Sequence, residues 1–437
     1  MIDAVEILKN LVRMNTTNPP GREEILLRYL EKIFIQEEIA YVYQETIPGR
    51  GNIVAWLPAT EHTENASLIL LSHIDVVAAR EEQWDKPPFG AEEEKGYIYG
   101  RGTVDTKQLT AMELVAFLEL KKRNGSRSRR VYFIATSDEE SGSTYGLRWL
   151  LEHDITIDGQ TVKGEALFRN SDVISEGGGF PVVVGTKEFY LCETGQKSCG
   201  TVEFTVKARN AKGPFLPSTD GMERAMSLIL EIGRLQLEGR TLKTVKGFEE
   251  KVAAATMSSM MKKILETMKN NTMTVTMVTG ENVNETKVTC DVRLLPGFEQ
   301  AYLEEILNKM SREWDCEYKI VSLGKGYECD PEGDFLRILE EATLQTLGKT
   351  KEDAELLPFV SMGSSDGHYL VDTGARVFGY SPVYSWDMTF DSAVTMVHGI
   401  NERIHRESVL FGSKVLTLAV ELAVGSTDQR KGWWREE

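Results

Sequence analysis

A histidine and an aspartate two residues apart, His73 and Asp75, follow a short apolar segment and could together hold a metal ion. In extended backbone, residues i and i+2 point to the same side of the chain. The imidazole could therefore bind the ion while the carboxylate orients the imidazole. Because the same pair also fits an ordinary polar loop, a metal site here requires further ligands from elsewhere in the chain.

Three other segments and a distant histidine supply candidate ligands. Asp105 lies in GRGTVDTK, where glycines permit a tight turn and the aspartate stands at the start of a helix. Glu139 and Glu140 follow an apolar segment in SDEESG, and packed carboxylates are costly without cations. Glu176 in SEGGG and His398 in VHGINE complete the set. Each has an ordinary alternative, such as a helix cap or a solvated turn.

Taken together, these residues offer nitrogen and oxygen ligands for two divalent metal ions. Such mixed shells suit zinc, with cobalt or manganese possible. Histidine is scarce, at six residues in the chain. His62, His153 and His405 lie in or near polar segments typical of the surface, whereas His368, which follows SSDG, is ambiguous.

The elements that must position these residues have the pattern of an α/β protein. Segments 66–72 (ASLILLS) and 130–136 (RVYFIAT) are almost entirely apolar, as expected of strands buried on both faces. A long helix is predicted over 106–123. Buried strands that alternate with amphipathic helices indicate a mostly parallel central sheet flanked by helices. In such sheets, ligands bind beyond the carboxyl ends of the strands, which is where His73, Glu139 and Glu140 fall.

The pattern changes after about residue 195, where strands begin to alternate between apolar and polar residues. The predicted elements are a strand at 201–209, a helix at 218–235, strands at 272–278 and 287–294, a helix at 299–311 and a strand at 317–323. This order is the split βαβ arrangement of a ferredoxin-like α+β domain. We therefore predict a catalytic domain formed by residues 1–197 and 324–437, with an inserted domain at 198–323.

Composition excludes several classes of function. The chain has 437 residues and a formal net charge of −17, which disfavours nucleic-acid binding. No apolar run approaches the roughly 20 residues that span a bilayer, so no membrane partner is expected. The N-terminus does not have the pattern of a secretory signal. Five cysteines, none in a CxxC pair, predict free thiols and a cytoplasmic location.

The motifs, in their order along the chain, resemble those of one family. HxDVV, W…PPF, GRGxxDxK and DEExG are carried by SHIDVVAA, QWDKPPFGAEEEKGYIYGRGTVDTK and ATSDEESGS, and the likeness extends to MVHGINERI. The chain resembles the zinc metallopeptidase and amidohydrolase family of aminoacylase-1, carboxypeptidase S, bacterial glutamate carboxypeptidase and succinyl-diaminopimelate desuccinylase. The resemblance runs almost from end to end.

The resemblance implies a role for each candidate residue. His73 would bind one zinc ion and Asp105 would bridge both. Glu140, Glu176 and His398 would complete the two metal shells, and Asp75 would orient His73. Glu139 would be the general base that takes a proton from the attacking water and delivers it to the leaving amine. A cis peptide bond between Asp105 and Thr106 is expected, and the inserted domain would form a homodimer.

Substrate recognition is less completely specified. Arg293 matches the family's arginine for a substrate carboxylate, although it could instead pair with Asp291. The resemblance also implies substrate contacts by Gly363, Ser364 and Asn282. The family's lid histidine is missing, because residues 198–323 contain no histidine. Lys212 occupies the matching position, where it is either a cationic oxyanion donor or a solvated lysine.

Two classes of function remain open. The first is a two-zinc hydrolase that cleaves the amide bond of a peptide terminus, a dipeptide or an N-acyl amino acid. The second is a catalytically silent metal-binding scaffold of the same fold. A serine or cysteine hydrolase is disfavoured because neither a GxSxG elbow nor a supported Cys-His pair is found. The sequence does not choose among the possible substrates.

Overall fold

The computed structural model describes residues 3–61, 66–209, 220–252, 259–282 and 285–425, without the side chains of 259–261 and 281–282. Two residues with a predicted substrate contact are affected. Lys212 lies outside the described residues, and Asn282 is described only as the last residue of a strand.

Twelve helices are found in the part of the chain that the structure describes. They are α1 Ala4–Arg13, α2 Glu24–Gln36, α3 Lys107–Arg123, α4 Leu147–Glu152, α5 Glu165–Phe168, α6 Asp220–Ile232, α7 Lys243–Val252, α8 Ser259–Thr267, α9 Gln300–Trp314, α10 Asp334–Leu347, α11 Phe390–Met396 and α12 Arg406–Val424. Short 3₁₀ helices lie at Glu81–Gln83, Glu139–Ser141 and Asp366–Thr373.

The same residues contain nineteen strands. They are β1 Ala40–Ile47, β2 Arg50–Leu57, β3 Leu68–His73, β4 Glu93–Glu94, β5 Tyr97–Tyr99, β6 Val131–Thr136, β7 Asp154–Ile157, β8 Gln160–Lys163, β9 Asp172–Ser175, β10 Pro181–Val184, β11 Lys187–Gln196, β12 Ser198–Lys207, β13 Thr272–Asn282, β14 Glu285–Leu294, β15 Glu317–Leu323, β16 Tyr327–Glu328, β17 Ala354–Ser361, β18 Arg376–Gly379 and β19 Arg403–His405.

Ten strands form a central sheet whose middle is parallel. Its order is β1-β2-β6-β3-β9-β18-β11-β10, and β16 and β17 also pair with β11. Strands β6, β3, β9 and β18 run parallel to one another. Antiparallel pairs flank them on both sides. The predicted α/β class is confirmed.

Both faces of the parallel strands are covered, which explains their apolar sequences. Strands β3 and β6 are buried along their whole length. Leu70 and Phe133 belong to a cluster with helices α1, α3 and α12, whereas Ile69 and Tyr132 belong to another cluster with α4 and α5. Neighbouring side chains of each strand therefore pack against helices on opposite faces.

A second, four-stranded antiparallel sheet follows in the order β13-β14-β12-β15. Buried and partly exposed residues alternate along β12 and β14. The buried side chains, such as Phe204 and Val288, pack against Leu228 of α6 and Leu307 of α9. The described strand-helix-strand-strand-helix-strand order has the predicted form. The domain limits at 198 and 323 stay a prediction.

Two helices of this region, α7 and α8, were not predicted. Val245 and Phe248 of α7 and Leu265 of α8 are buried in a cluster with Leu357 and Phe359 of the central sheet. Helix α7 therefore lies against β17, and α8 shares the same apolar cluster. Their mixed polar sequences have only a narrow apolar face, which sequence periodicity did not single out.

All five cysteines are free thiols. Across the described ranges, every helix is too short or too polar to cross a lipid bilayer. The cytoplasmic location stays a prediction.

Candidate functional site

The candidate ligands meet at one edge of the central sheet. His73 is the last residue of β3, Glu139 and Glu140 follow the end of β6, and Glu176 follows the end of β9. Because β6, β3 and β9 are parallel neighbours, their carboxyl ends lie side by side. The register of the sheet thus brings together residues as distant in sequence as His73 and Glu176.

Asp105 joins this edge from the loop before α3. The predicted cis peptide bond between Asp105 and Thr106 is confirmed. The Asp105 carboxylate lies between two histidines: Oδ1 is 3.2 Å from His73 Nε2, and Oδ2 is 3.1 Å from His398 Nε2. One carboxylate therefore faces both imidazoles, each through a different oxygen.

A further carboxylate accompanies each histidine. Glu176 Oε2 lies 3.4 Å from His73 Nε2, and Glu140 Oε2 lies 3.0 Å from His398 Nε2. The structure therefore has two groups of potential ligands, one around each imidazole, that share Asp105. Glu139 also lies near His73 and Glu176 and offers a possible ligand oxygen.

The spacing and chemistry of these groups fit divalent metal ions. Ligands at zinc bond lengths of about 2.0–2.1 Å in a tetrahedron lie about 3.3–3.4 Å from one another. The ligand atoms around the two imidazoles are 3.0–3.4 Å apart. In addition, Glu140 Oε1 is buried without a hydrogen-bond partner. This oxygen is therefore free to serve as a metal ligand.

The crowded carboxylates also shift the pKa values of their neighbours. Burial and the charge of Glu176 raise the pKa of Glu139 well above its usual value. Hydrogen bonds to Asp105 and Glu140 raise the pKa of His398 to about 10. Burial opposes a charged His73, but Glu176 and Asp105 raise its pKa nonetheless. The same negative potential would favour a divalent cation.

Asp75 is completely buried beneath these ligands, and it contacts both His73 and the turn that carries Glu139 and Glu140. Its backbone oxygen lies 3.1 Å from His73 Nδ1, and its Oδ1 lies 3.5 Å from the same nitrogen. A proton on Nδ1 leaves the Nε2 lone pair free for a cation. The Asp75 carboxylate also accepts the backbone N–H groups of Glu139 at 3.1 Å and Glu140 at 3.2 Å. It therefore connects the histidine to the acidic turn.

A network behind the acidic turn was missed by sequence reasoning. Asn18 donates to Asp75 at 2.8 Å and to Asp138 at 3.0 Å. Arg50 lies 2.9 Å from Asp138 and donates to both oxygens of Glu23. Asp138 has a φ of +70°, so these contacts hold a left-handed turn that directs the next residues into the site. Asp138 is thus an anchor of the turn.

Glu402 is a second residue that sequence reasoning missed. Its carboxylate is fully buried and accepts the backbone N–H groups of Gly102 at 3.0 Å, Val104 at 2.5 Å and Asp105 at 3.1 Å. It also pairs with Arg101 at 2.7 Å. Four donors thus hold a single carboxylate beneath the loop that carries Asp105.

The Arg101–Glu402 pair also contacts the loop that carries His398. Arg101 Nη2 donates to the carbonyl of His398 at 3.3 Å, and His398 has a φ of +59°. Arg101 and Glu402 therefore join the Asp105 loop to the His398 loop. The only sequence signal was that Glu402 lies four residues after His398 within the same motif, where it resembles any solvated acid.

A cavity of about 610 Å³ opens over these side chains. Gly363 and Ser364 line it, and their contact with a substrate stays a prediction. Arg293 does not line it: its guanidinium binds Asp291 at 2.9 Å and donates to the carbonyl of Met362 at 3.0 Å. Arg293 therefore reaches the loop before Gly363 and is engaged there by an acid, the alternative that the sequence left open.

Two more buried carboxyl groups line the cavity. Burial raises the pKa of Glu193 to about 8, and Tyr327 donates to it at 3.0 Å. Burial also raises the pKa of Asp366 to about 7, and the hydroxyls of Ser143 and Thr136 donate hydrogen bonds to its carboxylate. His368 lies beside them, with Nδ1 2.6 Å from the carbonyl of Ser365. None of these three was assigned a role from the sequence.

Comparisons with known proteins agree with this geometry. The frog (Xenopus tropicalis) N-fatty-acyl-amino acid synthase/hydrolase PM20D1 is 24% identical over 440 residues, which cover 93% of this chain and 83% of that protein. Succinyl-diaminopimelate desuccinylase of Coxiella burnetii is 32% identical over 173 residues, or 38% of this chain and 44% of that protein.

Solved structures share the fold across nearly the whole chain. The M20 family metallo-carboxypeptidase Sso-CP2 of Sulfolobus solfataricus has a TM-score of 0.71 at 17% identity, covering 97% of this chain and 99% of that one. Human carnosine dipeptidase 1 has a TM-score of 0.65 at 14% identity, covering 95% and 96%. The profile of peptidase family M20/M25/M40 matches residues 69–422, a span that contains every candidate ligand. The resemblance of the motifs is thereby confirmed, and the chain is a hydrolase that belongs to this family of metal-dependent enzymes.

Proposed function

We propose that the protein is a two-zinc amidohydrolase that cleaves the amide bond of a peptide terminus, a dipeptide or an N-acyl amino acid. One observation carries the proposal: the two oxygens of Asp105 face two different histidines at 3.2 and 3.1 Å, each accompanied by a glutamate. A structural ion pair needs one such contact, whereas a shared carboxylate between two imidazoles suits two ions. Zinc is favoured by the donor set, with cobalt or manganese as alternatives.

Five side chains would hold the ions. His73 and Glu176 form one group and His398 and Glu140 the other, with Asp105 between them. Two divalent ions would supply an acidified water and a polarised scissile carbonyl. The protein fold fixes the positions of these five ligands, because they come from strand ends and from loops held by buried hydrogen bonds.

Glu139 would move the proton. Burial and the neighbouring Glu176 raise its pKa, so the carboxylate gains affinity for a proton from water. It would then return the proton to the leaving amine. Asp75 positions Glu139 by accepting its backbone N–H at 3.1 Å, and by the contact to His73 it keeps the base and the ligand in a fixed relation.

The proposed bond is an amide because the similar proteins are named for such bonds. Their names include an N-fatty-acyl-amino acid hydrolase, a succinyl-diaminopimelate desuccinylase and a yeast dipeptidase, Dug1p. The cavity of about 610 Å³ would admit a small amide. This range of substrates is the one that the motifs also indicate.

A hydrolysis assay tests the proposal. The protein would be loaded with zinc, cobalt or manganese and given dipeptides and N-acyl amino acids. Glu139→Gln should keep its metal and lose about 10²–10⁴-fold in kcat, because a general base contributes that much. Glu82→Gln, at an exposed glutamate outside the site, is the matched control.

The catalytically silent alternative predicts a different result. It requires two bound metal ions and no turnover on the whole panel with any of the three metals. Turnover that persists undiminished in Glu139→Gln would instead keep the enzyme and remove Glu139 as its base.

We also propose a homodimer formed through the inserted domain. Met222, Met226 and Leu230 of α6 lie at intervals of four residues, and 53% or more of each is exposed. Such spacing places the three on one face of the helix. Strand β13, against which α6 packs, lies at an edge of its sheet. An apolar helix face beside an open sheet edge suits a second copy of the same surface.

Light scattering tests the dimer. Met226→Glu should convert a dimer of about twice the chain mass into a monomer, because two buried charges would face each other across a two-fold axis. Lys319→Glu, on the other edge strand of the same sheet, is the control. A monomeric wild-type protein at micromolar concentration would contradict the proposal.

A further inference from the structure

One wall of the cavity is apolar, although the opposite wall carries the candidate ligands. Helix α11 contributes Phe390, Ala393 and Val394, and Val397 follows its last turn. Spacings of three, four and seven residues place these side chains on one face of the helix. All four line the cavity, so this face is directed toward the site.

Strands of the central sheet extend the same wall. Phe359 of β17 meets Phe390 edge to face, with ring centroids 5.8 Å apart. Phe180, which precedes β10, and Met362, which follows β17, also line the cavity. The apolar side chains therefore line the same cavity as the candidate ligands, and Val397 adjoins His398 in the chain.

Part of this surface is exposed inside the concavity. Val394 is 47% exposed and Val397 is 38% exposed, whereas Phe390 and Ala393 beneath them are buried. A valine that is half exposed in a cavity gains free energy when an apolar group displaces water from it. The buried pair beneath holds the two valines in place.

The charged residues of the cavity also favour an apolar substrate group over an anionic one. Among its described lining residues there is no lysine or arginine. Arg293 is held by Asp291 and by the carbonyl of Met362. A carboxylate on this part of the substrate would thus meet apolar carbon and a cavity lined by six acidic residues, with no lysine or arginine among the described lining residues to pair with it.

We propose that the wall formed by Phe180, Phe359, Phe390, Ala393, Val394 and Val397 is a subsite for an apolar chain of the substrate. The proposal rests on the proposed amide hydrolysis and names its substrate class: amides that carry an apolar group several carbons long, rather than a short or charged one. The chain would be either the acyl group or the side chain of the amino acid, since both have the same chemistry.

Two substrate series separate these sources. The first is N-acetyl-, N-butanoyl-, N-hexanoyl-, N-octanoyl- and N-decanoylglycine, and the second is N-acetylglycine, N-acetylleucine and N-acetylphenylalanine. In the series that uses the wall, kcat/KM should rise about two- to fourfold per methylene, since a buried methylene contributes up to about 0.8 kcal/mol, or about fourfold. A flat profile in both series would overturn the proposal.

Butanoyl and succinyl groups give a matched pair, because both have four carbons and they differ in a terminal methyl or carboxylate. N-butanoylglycine should be hydrolysed at least about tenfold better than N-succinylglycine. Equal or better hydrolysis of the succinyl compound would overturn the apolar subsite.

A variant test uses isosteric changes at the wall. The double variant Val394→Thr/Val397→Thr should lower the ratio of kcat/KM for long and acetyl substrates about fivefold, because each hydroxyl opposes burial by the chain. Val278→Thr is the matched control, since Val278 is 49% exposed on β13 and does not line the cavity. An unchanged ratio, or a changed oligomeric state with an unchanged ratio, would show that the valines serve another contact and overturn the proposal.

A binding measurement separates failure of the subsite from failure of the proposed function. N-decanoylglycine and N-acetylglycine would be titrated calorimetrically into Glu139→Gln, in which turnover is not needed. Tighter binding of the decanoyl compound with a negative heat-capacity change supports the subsite even if no amide is cleaved by the wild-type protein. Equal binding of the two compounds contradicts it, even if amides are cleaved.

Discussion

Glu402 Oε1 lies 3.1 Å from the backbone nitrogen of Asp105 and accepts its hydrogen bond. This contact places a completely buried carboxylate directly behind the carboxylate that faces both histidines. Because Arg101 connects Glu402 to the carbonyl of His398, the two loops that approach the same candidate ion are held as one unit. Metal affinity should therefore depend on a residue that offers no ligand atom to the ion.

Glu402→Gln tests this dependence. An amide has one oxygen and a donor group, so it cannot accept from all four donors, and at least one buried N–H loses its partner. We expect the metal affinity to fall about 10–100-fold, as is typical when the support of a ligand is removed, and the free energy of unfolding to fall by roughly 3 kcal/mol. A competition titration with a chelating dye and urea denaturation of the metal-free protein measure the two effects.

Glu82→Gln serves as the control, since Glu82 is exposed and lies outside the site. Glu402→Asp keeps the charge with a shorter side chain and should recover part of the metal affinity. Wild-type metal affinity in Glu402→Gln would show that Glu402 stabilises the fold without positioning Asp105.

Asp105→Asn tests the shared carboxylate itself. The amide can face only one imidazole with an oxygen, so the variant should retain at most one of two metal equivalents and lose turnover. Elemental analysis of the dialysed protein gives the stoichiometry. Asp154→Asn, at an exposed aspartate of β7, is the control. Two full metal equivalents in Asp105→Asn would remove Asp105 from its bridging role.

Much of the site could be predicted because its residues follow buried strands. The apolar segments that become β3 and β6 are recognisable in the sequence, and the parallel pairing of these strands then brings His73 and Glu139 to one edge. The motifs supplied the rest of the ligand set. The cis bond after Asp105 also followed from the motif and not from any local preference.

The supporting residues could not be predicted, for a physical reason. Glu402, Arg50 and Asp138 are charged, and charged residues in a sequence are usually solvated. Their burial depends on partners that lie up to 301 positions away, as for Arg101 and Glu402. Only the fold shows that each charge meets several donors or acceptors. The helices α7 and α8 escaped prediction for a related reason, because the partners of their narrow apolar faces lie on a distant strand.

Arg293→Lys tests substrate recognition. If the guanidinium binds a substrate carboxylate, KM for free-acid substrates should rise about tenfold, because a lysine cannot form the two parallel hydrogen bonds. KM for the corresponding amidated substrates should change little. Steady-state kinetics on matched free-acid and amidated pairs measures this difference, with Lys319→Arg as a control for the charge exchange.

The contact of Arg293 with Asp291 gives a second measurement. Asp291→Asn removes the acid that now engages the guanidinium, so it should lower KM for free-acid substrates if Arg293 is free to move to them. An equal rise in KM for free-acid and amidated substrates in Arg293→Lys would contradict recognition and assign Arg293 to holding the loop at Met362.

Lys197 gives a prediction for the pH dependence of stability. It is the single residue between β11 and β12, it is completely buried, and its Nζ donates to the carbonyls of Thr267 and Asn270, each at 2.5 Å. Burial lowers its pKa to about 8, with a further contribution from Arg293. The unfolded chain therefore holds this proton up to about pH 10.4 while the folded protein releases it near 8. Between these values the unfolded state binds more protons, so the contribution of Lys197 to stability rises with pH, by at most about 1.4 kcal/mol per unit.

Lys197→Met removes this titration. The free energy of unfolding of both proteins would be measured by urea denaturation at pH 7.5, 8.5 and 9.5. As pH rises, the wild type should gain stability relative to Lys197→Met. Lys319→Met, at an exposed lysine, should leave the difference constant across the same range. Comparison with the wild type at each pH cancels the titration of the other groups. If the stability difference between wild type and Lys197→Met stays constant, the buried ammonium keeps its proton through its hydrogen bonds to the two carbonyls. In that case the crossing from the central sheet to the inserted domain would be held by a permanent charge.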